Sequence, residues 1–128
     1  MRLLLDTHSL IWYLEKNPRL SFSTVRLIED SNVEVLVSVG SLWEISIKAK
    51  LGKMSVPLGM SFIQLEHHLR ALDFQMLEVK TQHLDTLNTL PLHHRDPFDR
   101  LLIAQAMFEN ATLVSDDQFF SQYAVTLI

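Results

Sequence analysis

The sequence of 128 residues contains no cysteine. A disulfide framework and a thiolate zinc site are therefore both excluded. Long apolar runs are missing as well. The first one, residues 3–5, is interrupted by Asp6 and is far too short for a signal peptide or a membrane span. We therefore expect a cytoplasmic protein with no membrane-embedded part.

Several well-known catalytic patterns are also absent. The sequence has no GxSxG, Walker A or GxGxxG motif, so the usual hydrolase and nucleotide-binding interpretations do not apply. Its six histidines include adjacent pairs at 67–68 and 93–94, and none has the HExxH spacing of zinc enzymes. His8 lies close to Asp6, where a local hydrogen bond is a more probable role than contact with a substrate.

Positive charge is in short supply. Eleven basic residues face fifteen acidic ones, which gives a formal net charge of −4 and argues against a general nucleic-acid coat. If RNA is the substrate, bound cations must offset the acids. Each lysine taken singly fits a solvated helix face, but a few basic residues are candidates to help at the rim: Lys48, Lys50, Lys53, Arg95 and Arg100.

The length suits one domain, residues 1–128, and the hydrophobic content of 48% is ample for its core. Apolar strand-like and helix-like segments alternate along the chain. The predicted strands are residues 2–6, 33–37, 75–79, 112–115 and 125–127. The predicted helices are residues 7–16, 23–30, 38 or 41 to 51, 61–72, 81–90, 97–109 and a short turn at 118–123. This alternation predicts a three-layer α/β/α sandwich with a mainly parallel sheet.

Acidic residues follow the predicted strands. Asp6 comes directly after the first strand, and Asp116 and Asp117 come directly after residues 112–115. Glu44 lies on the helix after the second strand, and Asp99 lies in the first turn of the most apolar helix. Because ligands bind beyond the carboxyl ends of parallel strands, we expect these acids to meet at one rim of the sheet.

Each acid alone also has a structural explanation. Asp6 or Thr7 is suited to cap the first helix, and Asp96 to cap the helix at 97–109, where Pro97 is the first residue. The four residues Ser-Leu-Trp-Glu at 41–44 match a capping box. Asp116 is similarly placed before the turn at 118–123. Capping accounts for each residue separately, but it does not explain why so many acids gather at one predicted edge.

The surroundings of the acids favour a metal site. Glu44 and Asp99 lie in strongly apolar helices, where crowded carboxylates lose hydration and repel one another unless a cation joins them. An all-oxygen set of ligands suits Mg²⁺ or Mn²⁺. Two such ions, or one ion and a carboxylate that orients water, would serve hydrolysis of a phosphodiester. The residues do not choose between these arrangements.

Four segments resemble PIN-domain proteins and, more narrowly, the VapC-type toxins of bacterial toxin–antitoxin pairs. They are Leu-Leu-Leu-Asp-Thr-His at 3–8, Ser-Leu-Trp-Glu-Ile-Ser-Ile-Lys at 41–48, His-His-Arg-Asp-Pro-Phe-Asp-Arg-Leu-Leu-Ile-Ala-Gln-Ala at 93–106 and Leu-Val-Ser-Asp-Asp at 113–117. The segment at 93–106 is the most specific, and the match runs in order over nearly the whole chain.

The resemblance implies a metal-dependent ribonuclease acting on single-stranded or loop RNA, often tRNA or mRNA. It also implies a homodimer that a cognate antitoxin holds inactive, with a basic side chain of the antitoxin among the acids. The four acids of the family fall on Asp6, Glu44, Asp99 and Asp117, and hydroxyl positions near the metal fall on Thr7 and Ser115. Asp116 is a second candidate for the role of Asp117, and Asp96 is interpreted chiefly as a helix cap.

Two alternative interpretations remain. A phosphoacceptor receiver domain has a similar length and an acidic edge, but it needs an acceptor aspartate after the middle strand and a lysine after the last one. Here residues 75–79 are followed by Lys80, and no lysine follows residue 115. A catalytically inactive binding module with the same fold is the second alternative, and the presence of all four acids counts against it.

Overall fold

The computed structural model describes residues 1–92, 96–117, 120, 123 and 128. Strands and helices alternate along these residues. The strands are β1 (Arg2–Leu5), β2 (Glu34–Ser38), β3 (Gln75–Leu77) and β4 (Thr112–Val114). The helices are α1 (Thr7–Leu14), α2 (Phe22–Ile28), α3 (Val39–Lys50), α4 (Phe62–Ala71), α5 (Thr81–Thr89) and α6 (Pro97–Phe108), with a short 3-10 turn at Pro57–Gly59.

The four strands form one parallel sheet in the order β3-β2-β1-β4. Leu5, the last residue of β1, pairs with Val37 on one side and Val114 on the other. The carboxyl ends of β1, β2 and β4 therefore meet at one edge of the sheet. The parallel arrangement predicted from the alternation of segments is confirmed.

Apolar side chains of the central strands alternate between two cores. Leu3 and Leu5 of β1 pack into the core that contains Leu10 of α1, whereas Leu4 packs into the core that contains Leu102 of α6. Because successive side chains of a strand point to opposite faces, a strand that is apolar at every position needs helices on both sides. The three-layer α/β/α sandwich is therefore confirmed.

Some of the predicted boundaries differ from those of the structure. The hydroxyl of Ser21 accepts the N–H of Thr24, so α2 begins at Phe22 rather than at residue 23. The strand predicted at 75–79 ends at Leu77. The predicted strand at 125–127 lies outside the described residues, as do four of the six residues of the predicted turn at 118–123.

Gly40 allows α3 to approach α6 closely. A Cβ atom at this position would lie 2.8 Å from Cδ2 of Leu101 and 3.1 Å from the hydroxyl oxygen of Ser38. The glycine therefore brings the first turn of α3 against the first turns of α6. As a result, these two helices present their polar residues to a common space.

Among the described residues, no helix is long and apolar enough to cross a membrane.

Candidate active site

The carboxyl ends of β1 and β4 place three acids side by side. The backbone N–H of Asp6 donates to the carbonyl oxygen of Val114 over 3.1 Å, which continues the pairing of the two strands by one residue. Asp116 and Asp117 follow Val114 by two and three residues. The backbone N–H of Asp117 donates to the hydroxyl oxygen of Ser115 over 3.0 Å, so this segment turns back against the strand end.

Asp6 is both a helix cap and a buried acid. Its carboxylate accepts the N–H of Ser9 over 2.8 Å at the start of α1, and the residue is only 6% exposed. Burial raises its pKa above the usual 3.8, although hydrogen bonds from Ser115 and Ser9 and the nearby His8 act in the opposite direction. Loss of hydration, rather than repulsion by other acids, is thus the largest cause of the shift.

Glu44 projects from α3 into the same region and is 3% exposed. The hydroxyl of Thr7 donates to its Oε1 over 2.6 Å, and Nζ of Lys48 donates to its Oε2 over 2.5 Å. Both carboxylate oxygens are therefore engaged, one by a neutral donor and one by a cation. These contacts tie the beginning of α1 to the second and third turns of α3.

The first turn of α6 contributes the remaining acids. Asp96 caps the helix by accepting the N–H groups of Phe98 and Asp99 over 2.9 Å and 3.1 Å, and Pro97 is the first helical residue. The predicted cap at Asp96 is therefore confirmed. Asp99, one turn into the helix, is partly exposed on the side that faces α3.

All of these acids line one polar cavity of about 440 Å³. The sequence-predicted acids are all present in its wall, together with side chains that the sequence did not single out. The acidic lining residues are Asp6, Glu44, Asp96, Asp99, Asp116 and Asp117. The other described lining residues are Thr7, His8, Trp12, Arg19 and Lys48. Residues from four separate segments are thus brought to a single place.

The donor set fits a hard divalent cation. Every acidic group offers carboxylate oxygen, which Mg²⁺ and Mn²⁺ prefer, and the hydroxyl of Thr7 is also at hand. Within the described part of the chain, no three acid or histidine side chains are already gathered into a ligand cluster. This is compatible with Mg²⁺, which keeps most of its water and needs only one or two direct carboxylates.

For two residues the structure decides between alternatives that the sequence left open. Ser41 does not cap α3, because the cap is Ser38, whose hydroxyl oxygen accepts the N–H of Gly40 over 3.0 Å. Ser41 lies inside the helix, and its hydroxyl has no hydrogen-bond partner among the described residues. Lys48 does not lie on a solvated helix face, because it is paired with Glu44 inside the cavity. The i, i+4 spacing of Glu44 and Lys48 was the available signal for this pair.

The positions of Arg19 and Trp12 in the wall of the cavity were not predicted from the sequence. Arg19, in the loop after α1, lies over the ring of Trp12, with 5.9 Å between its guanidinium carbon and the ring centroid. The rings of His8 and Trp12 are also 5.9 Å apart. Nothing in the local sequence pattern indicates these contacts, because the loop at 15–21 has to fold back over α1 to make them.

A second, larger cavity of about 710 Å³ lies next to the acidic one and is mainly apolar. It is formed by α1, α2, the loop between them and the end of α4. Trp12 lines both cavities. Phe22, 76% exposed, stands at its border. The surface of the protein thus combines an acidic cavity and an apolar groove that share one tryptophan.

The PIN domain family matches residues 3–125 of the sequence. The chain therefore belongs to the PIN domain family, and the resemblance noted from its motifs is confirmed. None of the curated proteins compared by sequence matches this chain.

Solved structures with the same fold include several toxin–antitoxin complexes. VapBC2 from Rickettsia felis, bound to a DNA fragment from its promoter, has 18% identity and a TM-score of 0.75, with 100% of this chain and 98% of that chain covered. DNA-bound VapBC from Salmonella typhimurium has 14% identity and a TM-score of 0.69, with coverage of 100% and 97%. VapBC-1 from nontypeable Haemophilus influenzae has 22% identity and a TM-score of 0.61, also covering 100% and 97%.

Proposed function

We propose that this protein is a Mg²⁺- or Mn²⁺-dependent endoribonuclease and the toxin of a toxin–antitoxin pair. One observation carries the proposal: acids from separate segments line a single polar cavity, and two of them, Asp6 and Glu44, are almost fully buried. Burial of a carboxylate is costly, and buried acids gathered in one cavity are typical of sites whose task requires them. RNA is proposed as the substrate because the resemblance to VapC-type toxins implies it.

The residues of the cavity have distinct tasks in this reaction. A divalent ion, when bound, offsets the charge of the phosphoryl oxygens and makes a water molecule a better nucleophile. Asp6, Glu44, Asp99 and Asp117 would hold the ion, one or two of them directly and the others through its water molecules, and the backbone of Asp117 is fixed by Ser115. Asp116, which is exposed at the mouth of the cavity, is placed to orient water.

Hydrogen bonds within the protein orient these carboxylates before any substrate arrives. The hydroxyl of Thr7 fixes one oxygen of Glu44, and the N–H of Ser9 fixes one oxygen of Asp6. Orientation in advance lowers the cost of reaching the reactive geometry. The same contacts explain why Asp6 serves as a helix cap and as a site residue at once.

Cleavage of RNA by purified protein tests the proposal. The protein is incubated with total cellular RNA, with and without Mg²⁺ or Mn²⁺, and the cut ends are mapped. Asp6→Asn and Asp99→Asn each remove a charge while keeping the shape of the side chain, and we expect cleavage to fall by at least about 100-fold. Asp85→Asn, at an exposed acid on α5, is the matched control.

Metal binding provides a second readout. Mn²⁺ should raise the thermal midpoint of the wild type more than that of Asp6→Asn or Asp99→Asn, because only a specific site stabilises the fold by mass action. Undiminished cleavage in either folded variant, or cleavage that persists in a chelator, would refute the assignment. In that case the inactive binding module becomes the better interpretation.

The apolar groove is proposed as the docking site of the antitoxin. The similar solved structures are complexes of that kind, and the groove adjoins the acidic cavity at Trp12. A segment bound there can extend a basic side chain to the acids. Phe22→Asp should weaken binding of the antitoxin encoded by a neighbouring reading frame and leave RNA cleavage intact. Ile63→Asp, at an equally exposed residue outside the groove, should change neither.

A second copy of the chain is proposed to cover the exposed stripe of α3. Val39, Trp43, Ile47 and Leu51 recur at every fourth position and are 37–63% exposed. Trp43 packs edge-on against Phe98, so the stripe continues onto α6. The resemblance to VapC-type toxins implies a homodimer, and a Trp43→Glu variant should then sediment as a monomer. A monomeric wild type would contradict this part of the proposal.

A further inference from the structure

The pair formed by Glu44 and Lys48 differs from an ordinary pair on a helix surface. The protein contains a comparison pair at the same i, i+4 spacing: Arg70 and Glu66 on α4, with side chains 58% and 45% exposed. Such exposed pairs contribute little. In the cavity, the carboxylate of Glu44 is 3% exposed and the ammonium of Lys48 is 28% exposed. Lys48 therefore neutralises a carboxylate that water barely reaches.

The ammonium group of Lys48 stands among several acids rather than beside one. It lies 2.5 Å from Oε2 of Glu44, and it lines the same cavity as Asp96 and Asp99. A positive charge in this position reduces the attraction of the cavity for any other cation. Lys48 and a divalent ion consequently compete for the same negative charge.

The two partners of Glu44 differ in how freely they can move away from it. Thr7 is 3% exposed and begins α1, so its hydroxyl is held in place against Oε1. Lys48 ends in a flexible four-carbon chain that is partly in contact with solvent. Oε2 is therefore the oxygen that becomes available when the pair opens, and Lys48 is the group that moves.

A substrate phosphate needs a positive charge at this place. The described lining residues of the cavity include six acids but only Lys48 and Arg19 as lysine or arginine, and Arg19 lies over the ring of Trp12. A phosphodiester that approaches six carboxylates is repelled unless cations are nearby. Within the described part of the chain, Lys48 directly contacts one of these acids, Glu44.

We propose that Lys48 is a tethered cation with two successive partners: it balances Glu44 in the metal-free protein, then releases Glu44 to the divalent ion and binds the phosphodiester of the RNA strand. Only the second step, binding of the RNA phosphodiester, rests on the proposed function. The first step concerns metal binding by the protein alone. Lys48 is thus a phosphate-binding residue whose resting position is on a metal ligand.

The first experiment measures Mn²⁺ affinity by calorimetry in the absence of RNA. Lys48→Met removes the competing charge, so Mn²⁺ should bind about fivefold more tightly than to the wild type. Lys50→Met, at an exposed lysine on the same helix, should leave the affinity unchanged. Lys48→Gln keeps a hydrogen-bond donor for Glu44 and gives the same readout should Lys48→Met fail to fold.

The second experiment measures binding of an RNA oligonucleotide in Ca²⁺, which occupies oxygen sites without supporting rapid cleavage. The logarithm of affinity is plotted against the logarithm of salt concentration. Loss of one phosphate contact should weaken binding and reduce the slope by about one for Lys48→Met. Lys48→Arg retains the charge and should restore both the affinity and the slope, whereas a purely structural role would affect affinity without affecting the slope.

The outcomes separate this inference from the proposed function. Unchanged or weaker Mn²⁺ binding by folded Lys48→Met and Lys48→Gln would overturn the competition between Lys48 and the metal. An unchanged salt slope would overturn the phosphate contact. Failure of the wild type to cleave any RNA contradicts the proposed function instead, and the Mn²⁺ affinities still decide whether Lys48 competes for Glu44.

Discussion

The two ends of helix α6 both carry acidic side chains, but their charges are balanced in different ways. At its start, Asp96 and Asp99 join four other acids around the cavity. Past its end, Glu109 is surrounded by bases. Its carboxylate lies 2.8 Å from Nε2 of His83, 3.4 Å from Nζ of Lys80 and 3.5 Å from Nη1 of Arg2.

Hydrogen bonds fix the orientation of the His83 ring against Glu109. Nδ1 of the buried His83 accepts the backbone N–H of Lys80 over 3.0 Å, so the ring proton lies on Nε2 and is donated to Glu109. Burial acts to raise the pKa of Glu109, but the hydrogen bonds and charges of His83 and Lys80 together outweigh it and lower the pKa below 4.5. The acid is therefore held ionised by partners within the fold.

The comparison separates a structural cluster from a functional one. Around Glu109, three bases face one carboxylate, and one of them, Arg2, is also paired with Glu34. The described lining of the cavity holds six acids against Arg19, Lys48 and His8, and the pKa of Asp6 shifts upward because of burial. An excess of acids over bases in the wall of a cavity is typical of a site completed by a ligand. Substitutions at the two ends should accordingly have opposite consequences.

The largest expected effect on stability is at the structural end. Glu109→Gln leaves His83 and Lys80 without their carboxylate and leaves Arg2 with Glu34 alone, and we expect the free energy of unfolding to fall by about 1–3 kcal/mol at neutral pH. Urea denaturation measures the change, and RNA cleavage by the folded variant should be retained. Glu66→Gln, in an exposed pair, should change stability by no more than a few tenths of a kcal/mol (about 0.3).

The difference in stability between the wild type and Glu109→Gln should depend on pH. Because the folded-state pKa of Glu109 lies below its ordinary value of 4.5, its contribution to stability is complete above 4.5 and disappears as the pH falls through the folded-state pKa. Wild type and Glu109→Gln should therefore converge in stability below pH 4.5. A difference that stays constant across this range would show that the carboxylate charge is not responsible.

An intermediate effect on stability is expected at Thr7, whose hydroxyl contacts Glu44 in the cavity. Thr7→Val keeps the shape of the side chain but removes the donor to Oε1 of Glu44. The buried carboxylate loses a neutral partner, and we expect the free energy of unfolding to fall by about 1 kcal/mol. Thr81→Val is the matched control, because Thr81 also begins a helix but is exposed. Equal losses in the two variants would mean that the contact with Glu44 contributes nothing.

The smallest expected effect is a gain in stability. In metal-free protein, Asp6→Asn keeps the helix cap but removes a charge that burial disfavours, so the free energy of unfolding should rise by roughly 0.5 kcal/mol. The penalty of an acid with a raised pKa is present above the folded-state pKa and vanishes below 3.8, so the gain should vanish there too. A loss of stability at neutral pH would place Asp6 among the structural acids.

Much of the fold and of the site was predictable from local sequence. Apolar strands followed directly by Asp6 and by Asp116 and Asp117 indicate a parallel sheet with acids at one edge, because chain direction and strand burial are read from short segments. The cap at Asp96 was predictable for the same reason, since a cap involves residues two or three positions away. Glu44 and Asp99 were assigned by their apolar helices and by resemblance.

Other features depended on contacts between distant segments. The strand β2 continues to Ser38 because that residue pairs with Leu77 of β3, so Ser38 rather than Ser41 caps α3. This start of the helix, together with the close approach at Gly40, sets which side of α3 faces α6. Pairing across the sheet involves residues far apart in the chain, and no local pattern encodes it.

The sequence alone therefore determined the layered architecture and the edge where the acids gather, because both follow from the periodicity and order of short segments. Only the tertiary structure decided which carboxylates are buried, which are already paired and that Lys48 stands among them. Those properties depend on the distances between helices, and packing sets such distances to within about one ångström.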